Sequence, residues 1–227
     1  MKLLAIDAAA TACSVALLAD NRICEREALE ARAQSDLLLP MVDAVLAEAG
    51  VRLHDLDALV VGRGPGSFTG VRLAVGVAQG LAYGADLPVI PVSDLAMLAQ
   101  GVAGSYACEH IVACMDARMD EVYWCTFIRG ANGLVTATHA ERLGTPDSLV
   151  AAAPPAPFVG VGEGWGRHER LRARLAGSFA ALEPARLPHA RDALALAPPL
   201  WRAGATLAPE QVLPVYLRDE VATPPRT

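Results

Sequence analysis

LLAIDAAATACSVALLADNRICEREAL, residues 3–29, and HIVACMDARMDEVYWCTFIRGANGLVTA, residues 110–137, follow one plan. Each begins with an apolar run that ends in Asp-Ala, at Asp7-Ala8 and Asp116-Ala117. A short polar turn, a second apolar run, another turn and a third run follow in both. Short apolar runs bounded by turn residues read as strands, and Asp20-Asn21 suits the tight turn of a hairpin. Two β-β-β units, each followed by helical sequence, predict an internally duplicated α/β chain with a cleft between its halves. Two unrelated meanders, each with an Asp at a strand end, remain the competing account.

Around these units the chain fills in simply. SDLLLPMVDAVLAEAG (35–50) reads as a helix, with Ser35 as N-cap and Gly50 as its stop. A strand LDALVVG (56–62), a glycine loop, a helix from about Phe68 to Tyr83 and a strand PVIPV (88–92) complete the first half. After the second unit come a proline-rich loop and a strand over Phe158–Val161. ARDALALAPPLWRAG (190–204) reads as a helix interrupted at Pro198-Pro199, and residues 209–227 as a terminal segment with a frayed end. The expected division is an N-terminal lobe over 1–103, joined by a packing helix from about 209–227, and a C-terminal lobe over 104–208.

Composition narrows the function. With 227 residues and 53% hydrophobic content the chain can bury a real core. No window approaches the roughly 18 apolar residues of a membrane span, and MKLLAIDAAA is too short for a signal peptide. These features point to a cytoplasmic protein. The net charge of -6 and pI near 5.4 argue against a protein that holds nucleic acid by itself. The one basic concentration, RHERLRARL (167–175), reads as a solvated helix face. Five cysteines with no C-x-x-C pair read as small buried hydrophobes, and no two histidines stand at i, i+4, so no metal site is written locally.

The glycine loop VVGRGPGSFTGVRLAVGVAQGLAYG (60–84) has the strand-loop-helix order of a phosphate cradle, yet the nucleotide templates fail on spacing. Gly70 is followed by Val71-Arg72 and not Lys-Ser or Lys-Thr. Thr69 stands where a dinucleotide fingerprint needs its third glycine, and Phe68 stands where a nucleophile elbow needs Ser. Two readings stay open: backbone N–H groups around Gly64 and Gly66 that face an anion, or glycines that only permit a tight turn.

The two helices carry a clearer signal. Gly76, Gly80 and Gly84 recur at spacing four on one helix face with Arg72, and each internal glycine costs about 1 kcal/mol relative to alanine. Such a face lets a second backbone come close, as small residues do between membrane helices. Val71, Val75, Ala78 and Ala82 cover the other side, facing a sheet. In the earlier helix Leu37, Leu38, Leu39, Met41, Val42, Val45 and Leu46 exceed the single apolar stripe of a surface helix. The surplus faces another chain, or lies under the second domain.

LLAIDAAATACSVALL, LLPMVDAVLAEAG, LDALVVGRGPGSFTGVRLAVGVAQGLAYG, MDARMDEVYW and PVYLRDEVA together resemble the TsaB family. The likeness covers about the first 127 residues and a short stretch near the end. It implies an actin-like (sugar kinase/Hsp70) ATPase fold of two duplicated α/β lobes. It implies a non-catalytic relative of TsaD, the metal-bearing subunit that makes threonylcarbamoyladenosine at position 37 of tRNAs reading codons that start with A. The implied partners are a TsaD-type subunit in a heterodimer and a TsaE-type ATPase, with a homodimer when the chain is alone and tRNA met only indirectly. The implied interface is a helical bundle formed here by Leu37, Leu38, Met41, Val42, Val45, Val71, Arg72, Val75, Gly76, Gln79, Gly80 and Tyr83. No intrinsic cofactor, metal or catalytic residue is implied, and ATP or ADP has a place only at the junction with partners.

Departures from actin-like kinases fit a non-enzyme. The turns read DAAAT and DARMD, with no glycine to admit phosphate, and AQSDLLLPMVDAVL (33–46) lacks the paired histidines of TsaD, with Gln34 where many relatives carry one. Asp7, Gly64, Gly66 and Asp116 are then vestiges of a nucleotide site. The alternatives are an actin-like ATPase or phosphotransferase using Asp7 with Mg²⁺, and a metallopeptidase, which the missing histidine pair disfavours.

Overall fold

The computed structural model describes residues 1–30 and 33–218. Its first half runs β1 (Leu3–Asp7), β2 (Cys13–Ala19), β3 (Arg22–Ala28), α1 (Gln34–Ala49), β4 (Ala58–Gly62), α2 (Phe68–Ala85), β5 (Val89–Val92) and α3 (Asp94–Val102). The second half runs β6 (His110–Arg118), β7 (Glu121–Arg129), β8 (Val135–Ala137), β9 (Arg142–Gly144), α4 (Pro146–Ala151), β10 (Phe158–Val161), α5 (Glu163–Arg167), α6 (Glu169–Arg174), β11 (Phe179–Glu183) and α7 (Ala190–Arg202).

The two sheets repeat one another. The first has strand order β3-β2-β1-β4-β5 and the second β8-β7-β6-β10-β11, with β9 added on β7. In both, the strand that carries the Asp near its end pairs antiparallel with its successor and parallel with the later strand, β1 with β2 and β4, β6 with β7 and β10. The duplication read from the sequence is therefore present in topology. The hairpin turn at Asp20 and Asn21 has φ of 50° and 61°, the left-handed pair that matches strand twist.

Alternation sets the layers. Leu4 and Ile6 of β1 join Leu59 and Val61 of β4 under α1 and α2, in one core. Leu3, Ala5, Ala58 and Val60 face the opposite way, into a core shared with α3, α7 and the second sheet. A third core, with Trp124, Phe158 and Trp165, lies beneath α4 and α6. Because β1 and β4 are buried on both faces, they read as unbroken apolar runs.

Several local expectations need correction. Helix α1 begins at Gln34 with Ala33 as N-cap, so Ser35 lies inside the helix and caps nothing; Gly50, at φ 65°, ends it as expected. Helix α7 runs through Pro198 and Pro199 without a break, its buried Ala193, Leu194 and Ala197 held against the first sheet. That packing outweighs the hydrogen bonds the prolines forgo. It also joins α7 to the first sheet, although a boundary at 104–208 assigns it to the second lobe. The terminal stretch is no packing helix where described: a 3-10 turn at Pro209–Gln211 leads into chain without regular secondary structure to Arg218. Residues 219–227 lie outside the described residues.

Candidate functional site

Helices α1 and α2 form the outer layer of the first sheet, and their outward sides are the candidate contact face. In α2, Arg72, Gly76, Gly80, Tyr83 and Gly84 are exposed, with Tyr83 at 80%. A Cβ added at Gly76, Gly80 or Gly84 would meet nothing within 4 Å. Packing among the described residues therefore gives no reason for these three glycines. Leu39 of α1, 48% exposed, adds an apolar side chain to the same outer layer.

Half of the expected interface residues point the other way. Leu38, Met41, Val42 and Val45 of α1 and Val71 and Val75 of α2 are at most 9% exposed. They belong to the core against β1, β2 and β4. The first sheet offers two helices' worth of apolar surface, and it takes up the surplus that the helix pattern left for another chain or the second domain. Leu37 is half-buried, packed on that core. Gln79 is half-buried as well, because its amide donates to the Val212 carbonyl at 2.9 Å. The expected residues that remain open are Arg72, Gly76, Gly80 and Tyr83.

The glycine loop's conformation shows what its close backbone contacts are. An added Cβ at Gly66 would lie 2.5 Å from the Ala9 carbonyl oxygen, and one at Gly70 would overlap the carbonyl of Ala8. The loop and the first turn of α2 thus rest on the backbone of the turn after β1. Ser67 donates its N–H to Ala9 at 2.7 Å, and Gly64, at φ 96°, donates to Asp94 at 2.5 Å. Ser67 also caps α2 by accepting from Gly70. The N–H groups of Gly64, Ser67 and Gly70 are spent inside the chain, whereas that of Gly66, which borders the cleft, has no acceptor among the described residues. The glycines at 66 and 70 serve close backbone approach.

A cleft of about 730 Å³ separates the lobes next to this loop. Asp116 borders it, its side chain 9% exposed and ringed by Arg118 at 3.4 Å, Arg167 at 3.5 Å and His168 at 3.4 Å. Arg118, Met119 and Asp120 take three successive positive φ angles of 61°, 55° and 60°, in the turn where an actin-like ATPase would carry glycine. Asp7 is 1% exposed and faces the equally buried Asp94. Burial raises both carboxyls, and the Asp7 charge pushes Asp94 well above the ordinary carboxylate range. A Mg²⁺-nucleotide does not fit these residues: one carboxyl is sealed, the other is neutralised, and the turns hold side chains. Among the described residues no group of three His, Cys, Asp or Glu side chains is placed to hold a metal ion.

Two neighbours of this region, Asp94 and Tyr216, carry no signal in the sequence. Asp94 looks like an ordinary acidic residue in the first turn of a helix. Tyr216 reaches the loop only through the terminal segment, its ring 6.3 Å from that of Phe68. The Arg72 guanidinium lies 3.2 Å from the Phe68 ring centre, a cation-π contact. An aromatic residue in the middle of GSFTG was the one available hint, and Phe68 is 60% exposed.

Duplicated lobes, each built on a five-strand path of matching order around an interlobe cleft, define an actin-like protein. The family model described as "TsaD: tRNA N6-adenosine threonylcarbamoyltransferase" matches residues 28–160 and places the chain in that broad group. It is 41% identical to the tRNA threonylcarbamoyladenosine biosynthesis protein TsaB of Escherichia coli K12, over 98% of this chain and 96% of the relative. Against the protein of that name from Haemophilus influenzae it is 38% identical, over 97% and 95%. The structure of YeaZ from Pseudomonas aeruginosa superposes with a TM-score of 0.85 at 42% identity, covering 95% of this chain and 99% of that one. The chain belongs to the TsaB family.

Proposed function

We propose that this chain is a non-catalytic partner subunit in the synthesis of threonylcarbamoyladenosine in tRNA, the pathway named for its relatives. It docks the outer side of α1 and α2 on the matching helices of a TsaD-type threonylcarbamoyltransferase and thereby supports a TsaE-type ATPase. Without that partner it pairs with a second copy of itself through the same face. The observation that carries this reading is the open glycine stripe of Gly76, Gly80 and Gly84.

The non-catalytic part rests on Asp7 and Asp116, whose surroundings oppose the phosphotransferase alternative. ATP or ADP belongs to the junction with the partners and not to this chain's own cleft, and the acidic net charge supports an indirect relation to tRNA. No helix among the described residues is long and apolar enough to cross a membrane, in keeping with a cytoplasmic place of work.

The test is Gly80→Arg, read by light scattering after size exclusion with and without the TsaD-type subunit. The expected result is a monomer that neither self-associates nor binds the partner, with its circular dichroism unchanged. A variant that still forms the complex at wild-type yield overturns the interface. Val75→Arg is the contrasting control: Val75 is 3% exposed, so a charge there unfolds the chain and does not merely separate subunits.

A further inference from the structure

Asp7 at the end of β1 and Asp94 at the start of α3 are 1% and 0% exposed. Their Oδ1 atoms converge on the space beside Gly62, where an added Cβ would stand 2.5 Å from one and 2.7 Å from the other. Asp7 Oδ1 accepts the Ala9 N–H at 3.1 Å, and Asp94 Oδ2 accepts the Gly64 N–H at 2.5 Å. Asp7 Oδ2 and Asp94 Oδ1 are sealed from water without a conventional donor among the described residues. Two carboxylates this close in a medium of low dielectric do not both ionise.

Among the described residues no counter-charge is in contact with the pair. Met97 closes the pocket with its methyl group beside Gly62. On β2, Ser14 is the register partner of Asp7, and its neighbour Cys13, turned to the opposite face of the sheet, has its thiol pushed up by burial and then by the Asp7 charge. From the N-cap of α7, His189 acts on Asp7 at longer range. Arg63 follows β4 and acts on Asp94 at longer range, its guanidinium committed to a two-pronged bridge with Glu141 at 3.0 and 3.2 Å.

We propose that Asp94 and Asp7 share one proton at neutral pH, Asp94 Oδ1 donating to the Asp7 carboxylate, and that this proton clamps the glycine loop to β1. The clamp acts through three further bonds: Ala9 N–H to Asp7, Gly64 N–H to Asp94, and Asp94 N–H to the Gly64 carbonyl at 3.2 Å. It fixes both the turn after β1 and the loop that launches α2, so Asp94 is a positioning residue for the outer face of that helix. Loss of the proton sets two charges against each other and loosens this joint.

The sign follows from linkage. The folded chain keeps a proton that the unfolded chain releases above the ordinary Asp value, so stability falls as pH rises. It falls until the raised native value of the pair is passed. In that window the folding constant drops about tenfold per pH unit. Asp94→Asn preserves the shape, donates its amide to Asp7, accepts from Gly64 and carries no titrating proton.

Two measurements on the full chain decide the proposal. Infrared difference spectra of wild type against Asp94→Asn at neutral pH should show a protonated carboxylic acid stretch, moved by exchange into D₂O, that the variant lacks. Thermal and urea unfolding from acid to alkaline pH should show the variant gaining on the wild type as pH rises. Absence of the acid band in the wild-type protein at neutral pH overturns the proposal, and that spectrum needs no variant to fold. Parallel pH profiles overturn it too, as does a stoichiometric metal ion in place of the band.

Discussion

Alanine at Gly70 and alanine at Gly80 should move this chain in opposite directions, although both glycines lie in α2. A Cβ at Gly70 would overlap the Ala8 carbonyl oxygen and stand 3.0 Å from its carbon. That obstacle is backbone, tied into the turn after β1, and not the tip of a flexible side chain. Overpacking of this kind costs about 3 kcal/mol, and relief of the helical glycine returns about 1 kcal/mol. The net loss of about 2 kcal/mol lowers Tm by roughly 4–8 °C in a chain of this size. At Gly80 nothing stands in the way, so the propensity gain of about 1 kcal/mol raises Tm by roughly 2–4 °C. The same methyl group holds a docking helix off the stripe and weakens association. Calorimetry at concentrations where the chain is monomeric separates the folding effect from mass action, and sedimentation with the TsaD-type subunit reads binding. Gly80→Ala that destabilises the isolated chain as Gly70→Ala does would show that the stripe is packed within it. Unchanged association would show that the stripe is not the contact.

Three further outcomes are expected. Arg63→Ala leaves Glu141, 12% exposed, without its partner; urea titration should show a loss of about 1–3 kcal/mol, with Glu141→Gln softer, and a double-mutant cycle should return a coupling above that of surface pairs. Cys125 is fully buried and its thiol is pushed up to about 12 by burial, so a thiol reagent at mildly alkaline pH should spare it in the native chain and label it only after denaturation. Arg218 pairs with Glu121 at 2.7 Å and donates to the Ala117 carbonyl at 3.1 Å; Arg218→Ala should speed hydrogen exchange across residues 212–217, and unchanged exchange would deny the terminal segment its hold on the second lobe.

What was legible and what was not divides along a physical line. Period and punctuation are local, so Asp20-Asn21, Gly50 and the paired β-β-β units were readable from neighbours in the chain. The destination of an apolar face is not local. Leu38 and Val42 look like Leu39 until the sheet beneath them is known, and that sheet is assembled from β1, β2 and β4. The glycine stripe was readable as an open face because its signal is a cost: helical glycine spends stability that packing among the described residues does not call for. Tyr216 and Asp94 were invisible for the opposite cause, since each gains its role from a contact with a distant segment. Pro198-Pro199 misled because propensity penalises both residues, while the packing of Leu194 and Ala197 on the first sheet holds the helix together.

The repeated Asp at the strand ends carries the reasoning one step further. Asp7 Oδ1 accepts the N–H of Ala9, and Asp116 Oδ1 accepts the N–H of Arg118, each two residues on and each at 3.1 Å. In both lobes the carboxylate shapes its own turn, an Asx-type bond that needs neither metal nor nucleotide. Their second tasks differ. Asp7 is drawn inward to Asp94, while Asp116 is held at the cleft by Arg118, Arg167 and His168. A residue required for the turn is kept for the turn's sake, so its presence twice in the sequence marks the duplication and is not by itself evidence of an active site. Asparagine tests this directly. It keeps the acceptor for the i+2 N–H, so Asp116→Asn should leave the β6–β7 turn intact and weaken only the hold on Arg118 and Arg167. Amide exchange at Arg118 as slow as in the wild type supports that account, and a collapsed turn would show that the charge, not the acceptor, shapes it.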